Sequence, residues 1–198
     1  MNTGTGDILT VQTDGNVVLY VNGVARWQTN TVGLSGNYLK AQSDGNVVMY
    51  TSGGTWKWKS ETGIYPGAFL RLQDDGNLVI YSGSTAVWTS SWTKDPNGAR
   101  TYSQKQFPRY GWSVSSQYSC LNSLWTNESG WLWNADNPNS SAYGIPQALP
   151  GDKMATHGTN WLTDGLTQVQ WGLWYIDDRY STPCGAWNAW NSRSPHWY

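Results

Sequence analysis

Residues 12–20 read QTDGNVVLY, residues 42–50 read QSDGNVVMY, and residues 73–81 read QDDGNLVIY. The copies start 30 and 31 positions apart (42 − 12 and 73 − 42), and five positions recur at a spacing of two in each. The recurring residues are Gln12, Asp14, Asn16, Val18 and Tyr20; Gln42, Asp44, Asn46, Val48 and Tyr50; and Gln73, Asp75, Asn77, Val79 and Tyr81. A repeat of this length predicts one small supersecondary unit used three times, since a single unit cannot bury its own hydrophobic face.

An Asp-Gly pair stands between two apolar runs in every copy, and this pattern predicts a tight hairpin turn. Each repeat is therefore expected to form a strand, a turn, a second strand and a third strand that ends at a tryptophan. The three tryptophans are Trp27, Trp58 and Trp88, spaced by 31 and 30 residues (58 − 27 and 88 − 58). Because so short a unit cannot stand alone as a sheet, we expect three of them to pack about a pseudo-threefold axis with these rings in the core.

The polar members of the repeat indicate a function beyond the turn. A turn needs Asp-Gly, but it does not need a Gln two residues before the Asp and a Tyr four residues after the Asn. Gln, Asp, Asn and Tyr together offer the mixed donors and acceptors that neighbouring sugar hydroxyls require. Asp and Asn would clamp one hydroxyl, and Val would pack on the ring carbons. The alternative interpretation is a polar ladder that only tightens three hairpins.

The pattern Q-x-D-x-N-x-V-x-Y resembles the sequence signature of the bulb-type mannose-binding lectins. The resemblance implies that residues 1–92 form an all-β prism of three sheets that binds D-mannose or mannosides. It assigns the 2-hydroxyl to Asp and Asn, the 3-hydroxyl to Gln and the 4-hydroxyl to Tyr. It also implies a homodimer through this domain. Two departures are that the disulfide common in plant members is absent, and that the strand before the first motif is expected to be shortened or missing.

The composition excludes several classes of partner. Charged residues are 13% of the chain and the formal net charge is −1, which does not favour nucleic acid or an anionic membrane surface. No stretch approaches the roughly 18 apolar residues of a membrane span. The first residues lack the basic and apolar regions of a signal peptide, so we expect a leader that has been removed or another export route.

The second half has a different pattern. Near Trp92 the β-rich pattern ends, and residues 93–106 are interpreted as a linker. Beyond it, apolar residues recur at helical spacing over 117–128 and 167–180, the latter behind Thr163 and Asp164 as candidate caps. We therefore expect residues 107–198 to form a mainly α domain.

Glu128 ends the first of these predicted helices, on the stripe of Leu121, Leu124 and Trp125. A carboxyl group among apolar neighbours has its charged form disfavoured, so its pKa rises. A carboxylic acid that is protonated near neutral pH is what cleavage of a glycosidic bond requires. The alternative is an ordinary surface glutamate at a helix end.

The blocks Glu-Ser-Gly-Trp at 128–131 and Ser-Ala-Tyr-Gly-Ile-Pro-Gln at 141–147 resemble the lysozyme-like lytic transglycosylases. The resemblance implies a peptidoglycan-cleaving domain in which Glu128 is the catalytic acid and Tyr143, Gly144 and Gln147 line the glycan cleft. Ser141 stands where the family usually has Gly. The family's late Ala-Tyr-Asn block has only a loose counterpart at 186–188.

Two chemistries stay open for that domain. A lytic transglycosylase needs one carboxyl group, whereas a hydrolase usually needs a second carboxylate; Asp136 is the nearest by sequence, although Asn-Ala-Asp-Asn-Pro is typical of a turn. Cys120 and Cys184 are expected to form a disulfide, as cysteines flank these blocks in the resembled domains, and a disulfide implies an oxidising, extracellular setting. No metal or cofactor is implied.

Together these interpretations predict a secreted, bacteriocin-like protein that binds mannose-type glycans and cleaves the β-1,4 bond between N-acetylmuramic acid and N-acetylglucosamine in bacterial peptidoglycan. The alternative is a carbohydrate-binding lectin whose second domain is an inactive wall-binding module.

Overall fold

The computed structural model describes residues 1, 3, 6–34 and 37–198 of the chain. The described residues divide into two compact units. The first comprises Met1–Ser91 with His157–Asn160, and the second comprises Trp92–Thr156 with Trp161–Tyr198. Within the described ranges, no helix is both long and apolar enough to cross a membrane.

The described part of the first unit contains nine strands in three antiparallel sheets, each with its strands in chain order. The strands are β1 Ile8–Val11, β2 Val17–Val21, β3 Val24–Gln28, β4 Tyr38–Ala41, β5 Val47–Tyr50, β6 Trp56–Lys59, β7 Phe69–Leu72, β8 Leu78–Ser82 and β9 Thr85–Thr89. Each repeat therefore forms one sheet, and the prediction of three β-repeats is confirmed. The expectation of a shortened or missing first strand is wrong, because β1 has four residues, like β4 and β7.

The Asp-Gly turns join the first and second strand of every sheet. Their glycines have positive φ angles of 90° at Gly15, 93° at Gly45 and 78° at Gly76, a region that disfavours residues with a Cβ. A Cβ on Gly45 would also lie 2.0 Å from the carbonyl oxygen of Tyr65. The second turn thus packs directly on neighbouring backbone, and only glycine fits there.

The core of the first unit is built on the three predicted tryptophans. Trp27, Trp58 and Trp88 are 6%, 2% and 1% exposed. Each ring meets the other two edge to face, with centroids 5.0, 5.5 and 5.6 Å apart. This mutual arrangement is one that aromatic quadrupoles favour, and it confirms that the tryptophan period marks the core that the three sheets share.

The second unit is mainly helical. Among the described residues its α-helices are α1 Pro96–Gln106, α2 Val114–Ser129, α3 Gly165–Tyr180 and α4 Pro183–Asn191. Short 3-10 segments span Ser90–Lys94, Phe107–Tyr110 and Gly151–Thr156. The predicted helical stripes are confirmed: Leu121, Leu124 and Trp125 of α2 are fully buried, and Asp164 caps α3 by accepting hydrogen bonds from the backbone N–H groups of Leu166 and Thr167.

The predicted linker over 93–106 is wrong, because most of it is helix α1. Asp95 caps this helix by accepting hydrogen bonds from the N–H groups of Asn97 and Gly98, and Pro96 occupies the first turn. Asp-Pro-Asn suits a loop and equally suits a helix start. Tyr102 of α1 is fully buried, so this helix belongs to the packed unit.

The predicted disulfide is present between Cys120 and Cys184, with Cα atoms 4.9 Å apart. It joins α2 to α4, a helix that the periodicity did not indicate. The bond closes a sequence separation of 64 residues, which in the chain-entropy model contributes roughly 4 kcal/mol to stability. It therefore fixes the position of α2, the helix that carries Glu128.

Candidate functional site

The three polar sets adopt nearly the same geometry on three sheets. In each, the Gln Nε2 group donates a hydrogen bond to the Tyr hydroxyl, at 2.8 Å for Gln12–Tyr20 and 3.1 Å for both Gln42–Tyr50 and Gln73–Tyr81. Because the hydroxyl oxygen accepts this bond, its own hydrogen is directed elsewhere and can be donated to a ligand. The Gln carbonyl oxygen remains as an acceptor at the same place.

The Asp of each set is held by its own turn. One carboxylate oxygen of Asp14, Asp44 and Asp75 accepts a hydrogen bond of 2.9 Å from the backbone N–H two residues later. This is the Asx geometry that stabilises tight turns. A carboxylate has about four lone-pair positions, so each Asp keeps acceptor capacity for a hydroxyl group.

The Asn of each set is oriented by the segment that follows the third strand. Asn16 Oδ1 accepts hydrogen bonds from the Thr29 hydroxyl at 3.2 Å and from the Thr31 backbone N–H at 3.1 Å. Asn46 Oδ1 does the same with Ser60 and Thr62, at 2.9 and 3.2 Å. With the oxygen fixed in this way, the amide presents N–H groups as donors beside the Asp carboxylate.

The third set departs from the other two. Asn77 Oδ1 accepts from the hydroxyls of Thr89 and Ser90 at 2.6 and 2.8 Å, and from the Ser91 backbone N–H at 3.2 Å. In the first two sets, the backbone donor lies two residues after the hydroxyl donor. In the third set it is Ser91, directly after Ser90, because the chain enters a 3-10 segment at this point. Asn77 Nδ2 then donates to Ser91 Oγ at 3.3 Å. Asn16 Nδ2 likewise donates to Gln28 Oε1 at 3.0 Å, so one amide donor is partly engaged within the chain in both the first and the third set.

The remaining members of the repeat shape the surface. A β-bulge precedes the Tyr in every sheet, between Leu19 and Tyr20 and at the equivalent positions. Bulges redirect side chains beside binding sites. The repeated valines, Val18, Val48 and Val79, are only 2–3% exposed. They underlie the polar groups and offer little surface to ring carbons.

Each set therefore brings four polar side chains together on one strand and its turn. It offers anionic and amide oxygens as acceptors, and amide N–H and hydroxyl groups as donors. This combination suits a ligand whose adjacent hydroxyls both donate and accept, and it lacks the positive charge that a phosphate or carboxylate ligand would need.

Glu128 lies in the last turn of α2 and is half-buried. Burial raises the pKa of its carboxyl group to about 7, although a hydrogen bond from the Trp190 side chain partly lowers it. The predicted direction of the pKa shift is thus present. At pH 7 about half of these groups carry the proton that a general acid must donate.

Tyr198 lies beside this carboxyl group. Its hydroxyl accepts a hydrogen bond from Trp125 Nε1 at 2.8 Å and donates to the Pro146 carbonyl oxygen at 3.0 Å. Burial raises the pKa of Tyr198 well above its ordinary value, and the charge of Glu128 adds to the rise. Tyr198 therefore stays neutral and links α2 to the segment around Pro146.

The predicted cleft residues form a small hairpin near the end of α2. Tyr143 and Ala148 exchange backbone hydrogen bonds of 3.1 Å, and the Ser129 hydroxyl donates to the Ile145 carbonyl oxygen at 2.7 Å. The residue after Glu128 is thus bonded directly to this hairpin. The structure brings Glu128 and the hairpin to one region of the unit.

The side chains of the hairpin are largely engaged within the chain. Gln147 Nε2 donates to the carbonyl oxygens of Ala135 and Gly144, at 3.2 and 3.0 Å, and the Tyr143 hydroxyl donates to Leu162 at 3.1 Å. Gly144 has a φ angle of 74°, and a Cβ there would lie 2.5 Å from the Gln168 side chain. These residues shape the hairpin, and Gln147 keeps one carbonyl oxygen for a ligand.

Sequence reasoning missed Trp190, Tyr198 and Gln168. Gln168 is fully buried, accepts a hydrogen bond from the Ile145 N–H at 2.9 Å and donates to the Trp133 and Trp161 carbonyl oxygens. Two glutamines, Gln168 and Gln170, flank Val169 on the stretch of α3 that the apolar pattern predicts to be buried, and this was a usable signal, since a buried amide needs several partners. For Trp190 and Tyr198 the chain gave no local signal.

Comparisons with known proteins bear on the repeats. No protein-family model matches the chain, and no curated protein matches it. Among solved structures, the monomeric monocot mannose-binding lectins from Gastrodia elata are 41% identical, with 43% of this chain and 84% of that chain covered and a TM-score of 0.39.

Two further lectins match to a similar extent. The snowdrop (Galanthus nivalis) agglutinin, solved with methyl-α-D-mannoside, is 38% identical, with 43% of this chain and 79% of that chain covered and a TM-score of 0.39. The Polygonatum cyrtonema lectin, solved with a monomannoside, is 36% identical over the same shares, with a TM-score of 0.38. Because each of these lectins is matched over most of its own length at this identity, the part of the chain that the matches cover belongs to the monocot mannose-binding lectin family.

Proposed function

We propose that the first unit is a mannoside-binding module with three sites, and that the second unit cleaves peptidoglycan with Glu128 as its acid. The observation that supports the first part best is the threefold recurrence of one hydrogen-bonded Gln, Asp, Asn and Tyr arrangement. In each site the Asp carboxylate accepts from the axial 2-hydroxyl while the Asn amide donates to it. The Gln carbonyl accepts from the 3-hydroxyl, and the Tyr hydroxyl donates to the 4-hydroxyl.

This arrangement selects mannose over galactose for a physical reason. Galactose has an equatorial 2-hydroxyl and an inverted 4-hydroxyl, so both the Asp–Asn pair and the Tyr hydroxyl would lose their partners. Unpaired polar groups at a desolvated site cost roughly 1–3 kcal/mol each. Two such losses are enough to abolish detectable binding at a site of about millimolar affinity.

The test is calorimetric titration of the full chain with methyl-α-D-mannoside and with methyl-α-D-galactoside. The variant replaces Asp14, Asp44 and Asp75 together by Asn, which keeps an oxygen for the turn but removes the anionic acceptor. We expect mannoside binding to fall at least tenfold, since charge-assisted hydrogen bonds are about twice as strong as neutral ones. Asp74→Asn is the matched control, because Asp74 is exposed and outside the repeated set. Equal affinity in the triple variant and the wild type would disprove the assignment.

For the second unit, the supporting observation is the half-buried Glu128 carboxyl group with its pKa of about 7 and its hydrogen bond from Trp190. In the proposed reaction, Glu128 donates its proton to the glycosidic oxygen as the C1–O bond breaks. The resulting carboxylate then takes the proton of the muramic acid 6-hydroxyl as O6 bonds to C1, which gives a 1,6-anhydro product. If water attacks instead, the product is a reducing sugar and the reaction is hydrolysis.

Mass spectrometry of purified peptidoglycan after incubation with the protein distinguishes these outcomes. Glu128→Gln should lower product formation by at least the roughly 100-fold typical of acid–base catalysis. Asp136→Asn is the second arm: it should leave the rate unchanged for a one-carboxyl mechanism and lower it if Asp136 is the second carboxylate. Intact peptidoglycan after treatment with wild type would instead support an inactive wall-binding module.

The two units together suit a secreted antibacterial protein. A lectin that holds the chain on a mannose-rich cell surface raises the concentration of enzyme at the wall, and three weak sites gain affinity on a repeating glycan. The disulfide between Cys120 and Cys184 fits an extracellular setting.

A further inference from the structure

A groove of about 450 Å³ lies on the second unit, outside the residues that the reaction uses. Its walls come from α3 and from the 3-10 segment before it, and its lining includes Lys153, Trp171, Trp174, Tyr175, Asp178 and Arg179. Trp171 is only 5% exposed and packs on the buried Ala148 and Met154, so the groove has a firmly supported floor.

This groove continues toward the Glu128 region. A smaller adjoining cavity of about 80 Å³ shares Lys153, Trp171 and Tyr175 with it and extends to Gln147 and Tyr198. Tyr198 is the residue whose hydroxyl joins Trp125 to Pro146 and whose pKa the charge of Glu128 raises. Tyr198 therefore lies at the end of this path and interacts with Glu128.

The groove offers both aromatic faces and charge. Trp174 is 42% exposed, and the Trp171 and Tyr175 rings stack at 5.1 Å with an angle of 11°. Lys153 and Arg179 place two cations on the rim, and Asp178 places one anion there. A neutral glycan needs the aromatic faces but has no use for this charge pattern. The peptide stems of peptidoglycan carry carboxylates and commonly a side-chain amine, and so match both signs.

We propose that this groove binds the peptide stem attached to muramic acid, while the glycan lies against Glu128. The cations of Lys153 and Arg179 hold stem carboxylates, Asp178 holds the amine, and the aromatic side chains contact the peptide. This inference rests on the proposed peptidoglycan activity and deepens it, because it makes the substrate a glycan that carries its peptides rather than a bare sugar polymer.

The test uses the full chain carrying Glu128→Gln, so that cleavage does not consume the ligand. Soluble glycan strands with intact stems, and the same strands stripped of peptide by an amidase, are titrated into it by calorimetry. Stem-bearing strands should bind about tenfold more tightly than stripped ones, as expected for charge-assisted contacts. Adding Lys153→Ala with Arg179→Ala should remove that difference and leave the affinity for stripped strands unchanged. Arg109→Ala, which removes an exposed cation outside the groove lining, is the control.

The outcomes separate this inference from the proposed function. Equal affinity for the two kinds of strand, or a similar loss for both in the double variant, would overturn the groove assignment alone. Failure of both kinds of strand to bind would overturn it together with the peptidoglycan activity. Replacing Trp174 by Phe gives a further check, since it keeps an aromatic face and should retain most of the preference for stems.

Discussion

Glu128 is an ionisable group placed where its charge is unfavourable. Burial among aromatic side chains raises its pKa to about 7 from an ordinary value of 4.5, and the hydrogen bond from Trp190 offsets only part of this effect. Perturbed carboxyl groups of this kind gather at functional sites more often than elsewhere. The same perturbation has a consequence for stability that is independent of any substrate.

Replacing Glu128 by Gln should stabilise the protein at pH 8 but not at pH 4. Between pH 4.5 and pH 7 the folded state retains a proton that the unfolded state has lost, so the contribution of Glu128 to stability falls as pH rises through this range. Gln has no such dependence. Relative to wild type, the free energy of unfolding of the variant should rise by roughly 1–3 kcal/mol between pH 4 and pH 8. Urea unfolding at the two pH values measures this, and a pH-independent difference would mean that the carboxyl group is not perturbed.

If Glu128 is the acid of the proposed peptidoglycan cleavage, the rate should fall as its carboxyl group loses its proton. Because the acid must be protonated before the glycosidic bond breaks, the rate should fall as pH rises past about 7. A pH–rate profile on purified peptidoglycan tests this, and a rate that increases between pH 7 and pH 9 would exclude Glu128 as the acid.

The turns of the first unit depend on glycine for two separate reasons. Gly45 and Gly54 both have positive φ angles, of 93° and 79°. A Cβ on Gly45 would lie 2.0 Å from the Tyr65 carbonyl oxygen, whereas one on Gly54 would meet nothing within 4 Å. The pair therefore separates backbone strain from steric collision.

Gly54→Ala should lower the free energy of unfolding by about 1 kcal/mol, the usual effect of a side chain at positive φ. Gly45→Ala should cost clearly more, roughly 2–4 kcal/mol, since the backbone of the turn must also move. Urea unfolding monitored by tryptophan fluorescence compares the two. Equal effects would show that the close contact at Gly45 is easily relieved.

A sequence pattern predicts a turn, strand or helix when the residues that determine this element lie close together in the chain. The Asp-Gly turns, the tryptophan period and the apolar stripes of α2 and α3 are of this kind, and they were predicted. Helix α1 was missed because Asp-Pro-Asn at its start serves a loop as well as a helix, and its buried Tyr102 has no apolar stripe to accompany it. The bulge that precedes each Tyr depends on strand pairing, which sequence periodicity does not specify.

The surroundings of Glu128 assemble from distant parts of the chain. Trp190 and Tyr198 lie 62 and 70 residues after it (190 − 128 and 198 − 128). Nothing near these residues in sequence indicates that they would face a carboxyl group. The three repeated polar sets are the opposite case, because each is contained in one strand, its turn and the segment after the next strand. Their residues could therefore be named from the repeat alone, while the partners that orient each Asn could not.

We propose that the three repeated polar sets are mannoside sites. Nuclear magnetic resonance of the ¹⁵N-labelled full chain, titrated with methyl-α-D-mannoside, tests it at each site separately through the side-chain amide signals of Asn16, Asn46 and Asn77. We predict saturable shifts of these signals with the mannoside and none with methyl-α-D-galactoside. The Asn46 shift should be the largest, since the amides of Asn16 and Asn77 already donate to Gln28 and Ser91. Amide signals that stay unchanged with the mannoside, or that shift equally with both sugars, would show that these sets are not mannoside sites.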